Sequence, residues 1–92
     1  MTNRQAYTKG PWTVSQPQEW KQAILNSKGI LIAEVYKWRN HRAINMSANA
    51  RLIAAAPEML EMLKVTLTAI EGADDGLTGQ IKRTIDKAEG KQ

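Results

Sequence analysis

The chain has no cysteine and no phenylalanine, one histidine and three prolines. Without cysteine it can form neither a disulfide nor a thiolate zinc site. With His41 as the sole imidazole, a metal site would need several carboxylates, and the acidic residues show no such spacing. The one adjacent acidic pair, Asp74-Asp75, belongs by composition to a turn. No apolar run approaches the ~20 residues of a membrane helix. The opening Met1-Thr-Asn-Arg-Gln5 is not followed by the apolar run of a signal peptide. The expectation is a cytoplasmic protein with no cofactor and no membrane association. A general base at His41 would need a nucleophile and an orienting acid, and no pattern supplies them, so a non-enzymatic role is expected.

What is present is an uneven charge. Residues 1–43 carry Arg4, Lys9, Lys21, Lys28, Lys37, Arg39 and Arg42 against Glu19 and Glu34, a balance of +5 within an overall +4. All three tryptophans, Trp12, Trp20 and Trp38, lie in the same half. An anionic partner would therefore meet that half first. In 92 residues a single small domain is expected, with oligomerisation as a natural source of extra stability.

Periodicity divides the chain into strands and then helices, an α+β class. After a loose arm over 1–9, a single domain is expected over 10–90, with strands near 11–16, 22–26 and 30–37 and helices near 47–56, 57–71 and 77–89. Gly10-Pro11-Trp12 makes the chain entry, and Pro17 should end the first strand or mark it as an edge. Asn26-Ser27-Lys28-Gly29 between apolar runs is the turn of a hairpin with Gly29 at positive φ. A helix over 17–26 is the rival to the second strand. In the third strand Leu31, Ala33 and Val35 form the cleaner core face. Ser47 can cap a first helix, and Pro57, lacking an N–H, opens a second. Leu60, Leu63, Leu67 and Ile70 share one face of that helix, while Met59, Met62 and Val65 share another, which predicts partners on two sides. Glu71 to Gly76 is a turn by composition, and Leu77, Ile81, Ile85 and Ala88 recur at helical spacing after it. Ala48, Ala50, Ala54, Ala55 and Ala56 would let another helix approach closely, from the same chain or from a second copy, and self-association through the helices is preferred.

The candidate ligand-binding run is Tyr36, Lys37, Trp38, Arg39, Asn40, His41 and Arg42. Basic side chains interleaved with flat aromatics suit phosphate pairing and base stacking. The plainer account is a solvated strand end whose charges blunt an edge. Arg51, beside the alanines, can reach a phosphate or a partner's carboxylate, or can be an ordinary surface arginine. Trp12 and Trp20 are packing residues or pocket walls.

Four phrases together carry a resemblance: Gly10-Pro11-Trp12, the hairpin ending in Ile32-Ala33-Glu34-Val35, Asn49-Ala-Arg-Leu-Ile-Ala-Ala-Ala-Pro-Glu58, and Ile85-Asp-Lys-Ala-Glu-Gly90. The chain resembles, over roughly residues 10–90, a widespread class of small proteins of tailed bacteriophages and prophages, mostly of unassigned function. The resemblance implies a viral origin. Small accessory phage proteins of this size often counter host defence, some by sequestering nucleotide immune signals. The expected architecture is similar, by analogy alone, to that of the Thoeris anti-defence sponges.

On that resemblance the first expectation is a sponge holding an anionic nucleotide, of the cyclic-nucleotide or ADP-ribose type, at a subunit interface of a homo-oligomer. The ligand-binding residues expected are Tyr36, Lys37, Trp38, Arg39, His41, Arg42 and Arg51. The alternative is an inhibitor that docks on a host defence protein through its helix face. Direct DNA binding ranks below both, because the helical half nets −1 and offers no basic recognition helix.

Overall fold

The computed structural model describes residues 7–37, 45–73 and 75–91. Three strands, β1 (Thr13–Val14), β2 (Lys21–Leu25) and β3 (Leu31–Tyr36), precede three helices, α1 (Met46–Ala54), α2 (Ala56–Ile70) and α3 (Asp75–Ala88). The fold class is α+β. The sheet is antiparallel in the order β1-β2-β3. Two compact units divide the chain: residues 8–57 form one, and residues 58–92 with the segment up to Tyr7 form the other.

In the first unit, Lys21–Leu25 is extended, so this segment pairs as a strand and not as a helix. The hairpin turn is built by Asn26. Its Oδ1 accepts from the Lys28 and Ile30 amides, both at 2.9 Å, its carbonyl accepts from Gly29 N–H, and its own N–H donates to the Ile30 carbonyl. Gly29 takes φ 79°, a conformation that costs other residues a Cβ clash. β1 stops at Val14 because the next pair is only half a ladder: Ser15 N–H donates to the Ala23 carbonyl at 2.9 Å, but the return bond goes to the Ser15 side chain. Its hydroxyl accepts from Ala23 N–H at 3.0 Å, where a backbone carbonyl would otherwise stand.

The face of the sheet turned to α1 carries Val14, Gln22, Ile24, Ala33 and Val35, as the pairings Val14↔Ile24↔Ala33 and Gln22↔Val35 require. Ile24 is fully buried there, and α1 lies across all three strands. Leu31 does not share that face. The register shifts between Ile24 and Leu25, so that Leu31 pairs with Leu25 and is 53 % exposed. One extra residue in β3 inverts the alternation beyond it. Within the chain α1 packs on the sheet, and two of its alanines, Ala50 and Ala54, are buried.

Asn45, not Ser47, caps α1. Its Oδ1 accepts from Ala48 N–H at 2.8 Å, which satisfies one of the orphan donors of the first turn. Ser47 lies inside the helix and serves the sheet instead, as described below. After Ala55, Pro57 occupies the first turn of α2, where an N–H has no intrahelical partner to lose. Gly10 approaches Pro57 so closely that a Cβ on Gly10 would lie 2.8 Å from the proline Cβ. Two of the sequence's distinctive phrases thus touch.

In the second unit, Leu60, Ile81 and Ile85 form a buried cluster, with Leu63, Leu67 and Ile70 packed around it. These α2 residues all fall on one side of a 3.6-residue helix. Tyr7, which the sequence places in an arm, packs against the same cluster. The turn between α2 and α3 is shorter than composition suggests: Gly72 takes φ 86°, and Asp75 and Gly76 already belong to α3. Leu77 keeps the helical spacing but is exposed. Lys64 Nζ reaches Glu89 Oε2 at 2.7 Å, tying α2 to the turn that ends α3. No helix among the described residues is long and apolar enough to cross a membrane.

Candidate functional site

The residues of the basic–aromatic run separate as the period of a strand dictates. Tyr36 pairs with Lys21 and so projects from the sheet face opposite Gln22. Its hydroxyl donates to Glu34 Oε1 at 2.8 Å, and Lys21 Nζ stands 3.2 Å from Glu34 Oε2. The hydrogen bond from Tyr36, followed by that from Lys21, holds the Glu34 carboxyl below its ordinary value. The same bond, with the adjacent negative charge, raises the Tyr36 phenol. This trio is a small closed network on an exposed face, with its acceptor already engaged. Lys37 follows as an exposed residue whose N–H donates to the Trp20 carbonyl at 2.8 Å. Trp38, Arg39, His41 and Arg42 lie outside the described residues.

Arg51 lies on the other side of the sheet, on α1. It lines a cleft of about 340 Å³ together with Val14, Ser15, Gln16, Pro17, Gln22 and Ser47. The structure therefore does not bring Arg51 and Tyr36 together. Ser47 stands four residues before Arg51, one turn away on the same helix face. The wall of the cleft is fixed by a polar chain. Gln22, only 5 % exposed, donates from Nε2 to the Ser15 carbonyl at 2.8 Å and accepts at Oε1 from the Ser47 hydroxyl at 2.9 Å. The Ser15 hydroxyl in turn donates to the Gln16 carbonyl. Buried polar groups held this way are set in position at no later cost to a ligand. Arg51 has no ion-pair partner among the described residues.

Sequence reasoning singled out Arg51 without its setting beside Gln22 and Ser15. The signal was nevertheless there: if Ile24 faces inward in a strand, Gln22 must do so too, and a buried glutamine needs partners. Neither Trp12 nor Trp20 lines the cleft. Trp12 is half-buried and donates from Nε1 to the Thr8 carbonyl at 3.1 Å.

A second feature is the outward side of α2. Met59, Met62 and Val65 are 43 %, 61 % and 59 % exposed, on the flank away from the Leu60–Leu67 face. Among the described residues no group of three or more histidine, aspartate or glutamate side chains is placed to hold a metal ion.

No curated protein and no solved structure matches the chain. The family model described as Salmonella phage P22 protein Y8K6 matches residues 1–92, the whole of it. The chain belongs to the family of the Salmonella phage P22 protein Y8K6, a family of phage proteins.

Proposed function

We propose that this phage protein is a non-enzymatic binder that acts in the host cytoplasm by occupancy, holding an anionic nucleotide signal and so countering a host defence. The observation that carries the reading is the Arg51 cleft: a guanidinium with no ion-pair partner among the described residues, set against a rigid wall of serine and glutamine. Its volume, about 340 Å³, is at the low end of the roughly 300–1,000 Å³ of small-molecule pockets. It suits a phosphate with part of its sugar, and not a whole cyclic dinucleotide. The remainder of such a ligand is taken by a second copy of the chain; independently of the cleft, the exposed apolar side of α2 is a surface for self-association. Lys37 and the run Trp38 to Arg42 add charge and stacking area next to α1 in sequence.

A second reading rests on Met59, Met62 and Val65: the same apolar side of α2 docks on a host defence protein. DNA binding remains the weakest reading, because the net charge is only +4.

Thermal unfolding against cyclic di- and trinucleotides and cyclic ADP-ribose isomers, with light scattering for mass, separates these. A ligand at 100 times its dissociation constant adds about 2.7 kcal/mol, or about 10 °C in Tm for a chain of this size. A shift from one nucleotide, with an oligomeric mass, supports the sponge. No shift from any of them overturns it and leaves the helix face as the working surface.

A further inference from the structure

The polarity of the cleft's unspent hydrogen bonds identifies what it takes. Gln22 carries two N–H groups on Nε2 and one acceptor oxygen. One N–H is spent on the Ser15 carbonyl, and Oε1 is spent on the Ser47 hydroxyl. The Ser47 proton is thereby used, and the Ser15 proton is used on the Gln16 carbonyl. Beyond the bond to Ser15, Gln22 keeps the second N–H of its Nε2, on a side chain only 5 % exposed that lines the cleft. Beside it are the five N–H groups of Arg51, which has no carboxylate partner among the described residues. A buried donor without an acceptor is costly, and a guanidinium fork matches a flat pair of oxygens.

We infer that the cleft between β1 and α1 is an oxyanion site, in which Arg51 and the Gln22 amide donate to the non-bridging oxygens of a phosphate of the ligand while Ser47 and Ser15 hold the amide in its donating orientation. This deepens the nucleotide reading above and rests on it for the rest of the ligand. Glutamine supplies direction and arginine supplies charge. The closed Lys21–Glu34–Tyr36 trio on the opposite sheet face has no free donor fork of this kind.

The test is an NMR-monitored titration of the full chain with inorganic phosphate, adenosine monophosphate, adenosine and acetate, repeated on R51Q and R51K. The inference predicts phosphate and adenosine monophosphate shifting the Ser15, Gln22, Ser47 and Arg51 resonances, with adenosine leaving them in place. R51Q weakens phosphate binding by roughly 10- to 100-fold, the loss of a charge-assisted pair, and R51K retains part of it without the bidentate geometry. Because Arg51 is exposed, R51Q should fold with an unchanged Tm. Acetate competing as well as phosphate would assign the cleft to a carboxylate and overturn the phosphate assignment. A cyclic nucleotide bound equally by wild type and R51Q overturns the inference while leaving the proposed function standing. Arg51-dependent phosphate binding with no response to any cyclic nucleotide does the reverse. No response of these resonances to any probe overturns the inference outright.

Discussion

Gly10, Ser47 and Asn45 each answer to one neighbour, and each predicts a measurement. A methyl group at Gly10 would sit 2.8 Å from the Pro57 Cβ, a ring atom that cannot rotate away. Gly10→Ala should lower stability by about 1–3 kcal/mol, as overpacking does, measured by denaturant unfolding. Ser47→Ala leaves the Gln22 carbonyl oxygen without its donor in a buried position. The expected loss is about 1–3 kcal/mol, and the phosphate response of the Gln22 resonances should weaken with it. Asn45→Ala removes the cap and should cost about 1 kcal/mol. These three residues also mark the limit of what the sequence displays. That Ser47 could cap a helix was legible from its type. That Asn45, two positions earlier, takes the cap and frees Ser47 for Gln22 depends on where the helix meets the sheet, which no local pattern states.

At the scale of elements, alternation and helical period were enough to place three strands before three helices, and the Asn26–Gly29 turn was readable because its chemistry is local. The β3 face was only partly readable. Alternation places Ala33 and Val35 inward, and the register shift at Ile24/Leu25 then turns Leu31 outward. A bulge is a property of two strands together and leaves no mark in either alone. The link between α2 and the end of α3 carries a pH prediction. Lys64 is the largest influence on Glu89, and Lys91 the next; their hydrogen bonds hold the Glu89 carboxyl below its ordinary value of 4.5. A depressed folded value means the contribution is complete above 4.5 and is lost as pH falls through the lower folded value. Tm should therefore fall on acidification below about pH 4.5, and Glu89→Gln should remove part of that fall, as read by circular dichroism melts across pH 2–7. On the alkaline side, Lys64 is raised above 10.5 chiefly by the same bond, so its share fades only above that pH.

For the whole molecule, the apolar side of α2 and the Arg51 cleft make separable predictions. Self-association through α2 predicts a solution mass above the 10.3 kDa of one chain. Met62→Glu, placed on that exposed side, should return the mass to the monomer without lowering the Tm of the remaining fold. A mass unchanged by this substitution would put the self-association elsewhere. The candidate site was legible in outline only. A basic N-terminal half gave the expectation of an anionic ligand, and Arg51 was identifiable as the one cation of an alanine-rich helix. The cleft itself joins residues 14–17, 22, 47 and 51, and such a gathering exists only once the sheet has paired and the helix has crossed it. The family match extends the phage origin over the whole chain. The central claim, that the protein holds a nucleotide and does nothing else to it, is tested most directly by recovery of the ligand. The protein is saturated with the nucleotide that raises its Tm, freed of excess by gel filtration, and heat-denatured, and the released small molecule is analysed by mass spectrometry. The account predicts the nucleotide returned chemically intact and in fixed stoichiometry to the chain. A hydrolysed or ring-opened product, or a protein that retains no nucleotide through the column, would contradict it.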